Sequence, residues 1–309
     1  MAVTGVLALR ALGLGDLLTA VPALRALCRT GPVTLAAPEP LRPLAGLIDP
    51  GLDLLPTARL GDLNWPGPPP RLAVNLHGRG PQSIGDLLAA RPGRLLTHRH
   101  PAFPGVGGPP WQDGVPEVRR WCRLLEHGGI PADPGDLDLR EPTVPSPAPG
   151  AAVVHPGAAY PARRWPADRF AAVAGELARR GEHVVITGSA GERELAERVA
   201  GAAGLPSSAV LAGRTGLAEL AALVAGATLV VCGDTGVGHL ATAFGTPSVL
   251  LFGPTPPARW GPPPERTRHR VLWKGAQGDP FGGEPDRGLL WIEVDEVLAA
   301  LPAVAGGTR

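Results

Sequence analysis

Thr228-Leu-Val-Val-Cys-Gly-Asp-Thr-Gly-Val-Gly-His-Leu-Ala-Thr-Ala-Phe-Gly-Thr-Pro-Ser-Val-Leu-Leu-Phe252 holds the fold in outline. Thr228–Cys232 is so apolar that, as a strand, it must be covered on both faces. A helix over Gly238–Phe244 and a second apolar strand over Ser248–Phe252 follow, the alternation of a parallel α/β sheet. Upstream, Ala151–His155 and His183–Thr187 read as strands and Glu192–Ala203 and Leu217–Gly226 as helices. Pro166 stands at a helix start with Asp168 in its first turn, Phe170, Val173, Ala174 and Leu177 mark one face, and Gly181 ends the helix. Gly253–Gly288 reads mostly as loop, and Val294–Leu301 as a closing helix.

The same alternation opens the chain. Val3–Leu9 reads as a strand. From Gly15, Leu17, Val21, Leu24 and Cys28 fall on one helical face, with Arg25 and Arg29 near its end. Val33–Ala37 and Leu72–Leu76 are further strands, Ala102–Gly114 a Pro/Gly-rich loop, and Glu117–His127 a helix stopped by Gly128–Gly129. Glu141-Pro-Thr-Val-Pro-Ser-Pro-Ala-Pro-Gly150 is a stiff, extended linker. It divides the chain into two domains, 1–145 and 146–309, with a ligand cleft expected between them.

With 309 residues, two domains are also what core size allows. The balance of 29 basic against 28 acidic side chains, a net charge of +1, argues against a nucleic-acid binder. Only Lys274 of the basic residues is lysine, a bias that carries no mechanism. Absence of a long uncharged apolar run argues against a membrane span, and Arg10 and Asp16 interrupt the apolar start, so it reads as a strand rather than a signal peptide. Cys28, Cys122 and Cys232 form no CxxC pair, which argues against a disulfide framework or a cysteine zinc site and for a reducing, cytoplasmic setting.

Three strand-to-helix loops can carry chemistry. In Arg10-Ala-Leu-Gly-Leu-Gly-Asp16, Gly13 and Gly15 allow a tight turn, but Leu18 stands where a dinucleotide fingerprint needs glycine. Asp16 is either a first-turn helix stabiliser or a general base. In His155-Pro-Gly-Ala-Ala-Tyr-Pro-Ala-Arg-Arg-Trp-Pro166, exposed N–H groups with Arg163 and Arg164 suit a diphosphate, or form a solvated loop with one arginine packed on Trp165. In Val231–His239, Thr235 and Gly236 can offer donors to phosphate beside Asp234 and His239. Gly188–Glu194 offers Glu192 or Glu194 to a ribose hydroxyl, or an exposed helix start. Asp136-Leu-Asp138 spells the acidic pair of metal-dependent sugar-nucleotide transferases but lies just before the linker, and His77, His98 and His100 fall in loops without a supporting metal-ligand spacing.

Together, Gly15-Asp16 with Pro22–Arg25, His155–Gly157 with Arg163–Pro166, Gly188–Glu194, Gly233–Ala241, Gly245–Pro247 and Leu251–Pro254 resemble glycosyltransferase family 9, the heptosyltransferases of the lipopolysaccharide inner core. The resemblance implies a GT-B architecture of two Rossmann-like domains with parallel sheets facing a central cleft. It implies inverting, metal-independent transfer without a cofactor, from a nucleotide-diphosphate sugar, plausibly ADP-heptose, to a hydroxyl of a glycan or glycolipid acceptor that could bring the protein to a membrane surface. Asp16 matches the catalytic base. Gly157, Arg163, Glu194, Asp234, Thr235, Gly236 and His239 match the donor side, Glu194 more loosely, and Gly15, Arg79 and Arg120 are acceptor-side candidates. A seat for the last helix, about residues 294–301, is expected back on the N-terminal domain.

Two departures stand out. Leu12 and Gly13 occupy the places of serines common before the Gly-Asp, and Trp273–Phe281 replaces a segment that carries cysteine in some members. A nucleotide-sugar-binding module without transferase activity is therefore the competing expectation. A nicotinamide-dependent oxidoreductase, resting on Gly13-x-Gly15, is a further one.

Overall fold

The computed structural model describes residues 5–302, so Val3 of the expected first strand lies outside the described residues. The chain divides into two compact units, 1–140 and 141–309, five residues before the boundary read from the linker. Each unit is built on one five-stranded, wholly parallel sheet.

In the first unit the elements run β1 (Val6–Leu9), α1 (Leu14–Thr19), α2 (Val21–Cys28), β2 (Val33–Ala37), α3 (Arg42–Ile48), β3 (Leu52–Pro56), β4 (Leu72–Asn75), α4 (Pro81–Ala89), β5 (Leu95–Leu96) and α5 (Glu117–His127). The strands lie in the order β3-β2-β1-β4-β5. The helix expected to run on from Gly15 is broken at Ala20, because Pro22 has no N–H for the Leu18 carbonyl and its ring crowds the preceding turn. Arg25 of α2 reaches Asp136 at 2.6 Å, with Arg29 at 3.4 Å, and Arg25 also donates to the Asp138 carbonyl. The Asp-Leu-Asp segment therefore fastens the end of this unit to α2.

The second unit runs β6 (Ala152–His155), α6 (Ala167–Arg179), β7 (Val184–Ile186), α7 (Arg193–Ala202), α8 (Leu217–Ala225), β8 (Leu229–Gly233), α9 (Gly236–Phe244), β9 (Ser248–Phe252), α10 (Pro257–Trp260), β10 (His269–Trp273), α11 (Arg287–Leu290) and α12 (Val294–Ala300). Its sheet order is β10-β9-β8-β6-β7. Val231, Val249 and Leu251 are buried with Phe170, Val173, Ala174 and Leu177 of α6 in one core, as the apolar periodicity requires. Gly181, at φ +87°, turns the chain away after α6, and Gly245, at φ +65°, ends α9 in the left-handed region that glycine adopts without strain.

One expectation is corrected. β10 lies inside the stretch read as loop, paired in parallel with β9 at the sheet edge. The closing helix α12 packs on α6 of its own unit, where Val297 and Leu301 complete the core.

Buried histidines couple this fold to pH, His98 and His269 among them. His98 lies against Trp111 and Trp121, and burial, then Arg120 and His127, push its pKa down to about 4. His269 of β10 has Nδ1 2.9 Å from Ser248 Oγ, and burial, then Arg266 and Arg268, push it to about 4 as well. The unfolded chain binds these protons first, so stability present above about pH 6.5 is lost as pH falls towards about 4, by at most about 3 kcal/mol per histidine. Urea unfolding at about pH 7 and pH 4.5 measures the loss, and a His98→Gln, His269→Gln double variant is expected to reduce the difference.

Candidate functional site

In each sheet the chain winds outward from a central pair of strands, β1 with β4 and β6 with β8. Their carboxyl ends are level, Leu9 opposite Asn75 and His155 opposite Cys232. Loops leaving such a pair diverge, and ligands of open parallel sheets bind where they part.

At the β1/β4 point the organising group is Arg10, buried to 1% exposure. Its Nε donates to the Asp16 carbonyl (2.5 Å), one terminal nitrogen donates to the Leu76 carbonyl, and the other donates to Thr19 Oγ1 (2.9 Å). That second nitrogen is also 3.6 Å from Asp16 Oδ1, and the guanidinium carbon lies 4.8 Å from the centre of the Trp121 ring. Burial pulls the Arg10 pKa down, against the fields of Asp16 and Glu117. Thr19 Oγ1 donates in turn to the Asp16 carbonyl at 2.8 Å. Asp16 thus stands in the first turn of α1 next to Gly15, its backbone clamped twice and its side chain one-third exposed.

The loop after β4 brings His77 to the same region. Its N–H donates to Asn75 Oδ1 (3.1 Å), and buried Asn75 donates to both Ser83 and Thr97 at 3.0 Å. Burial, then the Arg10 charge, lower the His77 pKa while Asp16 and Asp86 oppose them, and its Nδ1 is buried without a partner. Arg79 is exposed on this loop. Arg120, by contrast, is buried: it donates to Glu117 at 3.0 Å and to the carbonyls of Gln112 and Val115, and stacks on Trp111. Its i, i+3 spacing from Glu117 was the sequence signal for that structural use.

At the β6/β8 point most donor-side candidates come together. A Cβ on Gly233 would approach the Arg163 carbonyl to 3.0 Å, so the two loops touch. Trp165 anchors the first loop by donating to the Ile292 carbonyl at 2.9 Å, and Arg164 is tied back to the Ala158 carbonyl at 2.9 Å. Arg163 keeps its Nε buried without a partner and lies over the Tyr160 ring. Thr235, the residue before α9, buries its Oγ1 beside the Cys232 thiol, which burial pushes up to about 12 against the side-chain hydrogen bond with Thr235. Asp234 and Gly236 flank it, half-buried, and His239, one turn into α9, packs edge-to-face with Trp260. Gly157 is buried against a carboxylate, but that carboxylate is Glu192.

Glu194 is not brought to this place. It lies on the solvent side of α7, 87% exposed and paired with Arg198. Glu192 caps the turn before α7, accepting from Ser189 N and Oγ at 2.8 Å each. The Ser189-x-x-Glu192 capping box was the signal that separates the two acids. No group of three or more His, Cys, Asp or Glu side chains is gathered as a metal would require among the described residues, and none of their helices is long and apolar enough to cross a membrane.

Residues 118–279, just over half the chain, match glycosyltransferase family 9 (heptosyltransferase), and the chain belongs to that family. It is 40% identical over 188 residues to lipopolysaccharide heptosyltransferase 1 of Pseudomonas aeruginosa, covering 60% of this chain and 51% of that protein. It is 39% identical over 140 residues to lipooligosaccharide heptosyltransferase 2 of Haemophilus influenzae, covering 41% and 40%. These matches span about half the length of the curated relatives or less. In fold the chain is similar to the ADP-heptose LPS heptosyltransferase II of Escherichia coli, with a TM-score of 0.75 at 22% identity over 96% of this chain and 97% of that one. A family 9 glycosyl transferase of Veillonella parvula is similar at a TM-score of 0.76 and 19% identity, covering 97% and 96%. The two Rossmann-like parallel-sheet domains are the pair that makes up a GT-B architecture.

Removing the buried Arg10 guanidinium leaves the Asp16 and Leu76 carbonyls without their donor. Arg10→Met is therefore expected to lower stability by about 3 kcal/mol, and Arg10→Lys, a point charge without the planar fork, to recover only part of it. Equilibrium urea unfolding of the two variants measures both losses.

Proposed function

We propose that the chain is an inverting, metal-independent glycosyltransferase that moves a sugar, heptose from ADP-heptose, to a hydroxyl of a cell-envelope glycan or glycolipid. Residues 1–145 take the acceptor and 146–309 the nucleotide sugar. The observation that carries the reading is the opposite electrostatic design of the two strand-end sites. One presents a carboxylate, Asp16, on a buried cationic scaffold. The other presents Arg163, its Nε buried without a hydrogen-bond partner, on the loop after β6, and Thr235 at the start of α9. Family membership and the names of the relatives support the donor and the acceptor class.

In the proposed step the acceptor oxygen attacks the anomeric carbon from the face opposite the diphosphate. The new C–O bond forms as the bond to the terminal phosphate breaks, and that electron pair leaves with the diphosphate. The hydroxyl proton passes to Asp16. A carboxylate is too weak a base to ionise an alcohol beforehand, so proton transfer accompanies attack and Asp16 must be held in position. Arg163 and the N–H groups of the first turn of α9 stabilise the charge that develops on the leaving group, a role that side chains and backbone fill without a metal.

Asp16→Asn is expected to lower transfer by about 10²–10⁴-fold and to leave ADP affinity within about twofold, since Asp16 belongs to the other unit. The checks are an ADP-heptose turnover assay with heptose-deficient lipopolysaccharide as acceptor and calorimetric titration with ADP. Undiminished turnover would remove Asp16 as the base. ADP binding without turnover by the unsubstituted protein would favour a nucleotide-sugar-binding module.

A further inference from the structure

Arginine side chains in the second unit mostly have partners. Arg164 donates to the Ala158 carbonyl at 2.9 Å, Arg169 to the carbonyls of Leu290 and Ile292, Arg266 to that of Thr242 at 2.9 Å, and Arg268 to that of Gly245 at 2.6 Å. Among the described residues, two arginines bury Nε with no hydrogen-bond partner, Arg163 and Arg259. A buried donor left unmade is costly, and a native structure that keeps one needs a reason.

Both sit at the same end of the same sheet. In the order β9-β8-β6, the loop after β6 carries Arg163 on one flank of the turn from β8 into α9, and the loop after β9 leads into α10 with Arg259 on the other. Trp260, the next residue, lines one cavity with Gly233, Asp234, Thr235 and His239, and its ring packs edge-to-face with that of His239 at 6.4 Å. Backbone bonds from Arg259 N to the Pro256 carbonyl (3.0 Å) and from Gly261 N to the Pro257 carbonyl (2.6 Å) fix this short turn. The segment is therefore built against the donor-side turn, and the buried Nε of Arg259 has no hydrogen-bond partner among the described residues.

We propose that Arg259 is the second guanidinium of the donor-diphosphate site, reaching the terminal phosphate from the β9 side while Arg163 serves the β6 side. The assignment rests on the donor-site reading above. It gives the leaving group a cation on each flank, where a single arginine would favour one set of phosphate oxygens. A guanidinium suits this place because its fork can give two parallel hydrogen bonds to one phosphate.

Calorimetric titration with ADP and, by competition in the millimolar range, with AMP separates this role from a structural one. Arg259→Gln is expected to weaken ADP at least tenfold and AMP less than twofold, with an unchanged melting temperature without nucleotide. Arg259→Lys should fall between the unsubstituted protein and Arg259→Gln. Undiminished ADP affinity in Arg259→Gln, or equal losses for ADP and AMP, would overturn the assignment. If the unsubstituted protein bound neither nucleotide, the donor-site reading beneath it would fall, which is a different result.

Discussion

The guanidinium of Arg10 is the constraint on which the first unit's site depends. A cation at 1% exposure is tolerated only where its donors and charge are answered, and here the answers come from three separate stretches of chain. The Asp16 carbonyl and Thr19 hydroxyl belong to α1, the Leu76 carbonyl to the loop after β4, and the Trp121 ring to α5. One side chain at the end of β1 therefore fixes how a short helix, a neighbouring loop and a distant helix meet. Asp16 inherits its position from that arrangement. A six-residue helix is too short to hold a carboxylate by its own stability.

The β4 loop is held from both sides of its first turn. Arg10 takes the Leu76 carbonyl, and Asn75, itself bonded to Ser83 and Thr97, takes the His77 N–H. Side-chain hydrogen bonds thus do on this loop what the ladder does within the sheet, satisfying backbone groups that would otherwise be unpaired near the protein interior. The second unit uses a different means. Its β6 loop is anchored by an aromatic residue, Trp165, whose ring fills the core while its N–H reaches the segment before α12. Arg164 of the same loop is tied back to the Ala158 carbonyl, while Arg163 keeps its buried Nε unpartnered.

Legibility in the sequence followed the physics of each feature. Strands buried on both faces, such as β8 and β9, announce themselves as continuous apolar runs, and α6 does so by its apolar periodicity together with Gly181. β10 was hidden because His-Arg-Val-Leu-Trp, at a sheet edge, buries little beyond its first residue, so no run of apolar residues marks it. Its evidence is the pairing with β9, which is a tertiary fact. Glu192 and Glu194 are two residues apart, and composition cannot say which one turns inward; only the capping geometry does. Arg120 illustrates the reverse difficulty in an arginine-rich chain, where a buried structural cation and an exposed ligand-seeking one are spelled alike.

On the proposed reading, the two strand-end sites carry opposite signs for a chemical reason. A group that accepts a proton must be held where the hydroxyl arrives, and the Asp16 carboxylate, its backbone clamped by a fully buried cation, meets that need. A leaving diphosphate gathers negative charge instead, and is best met by cations not already neutralised by the protein. An ion pair preformed at the second site would have to be broken before it could help. A buried cation omitted from the first would leave the carboxylate to wander. On that reading, the satisfied Arg10 of the first sheet and the unpartnered Nε atoms of Arg163 and Arg259 in the second follow from the direction in which electrons move, from the acceptor oxygen towards the phosphate.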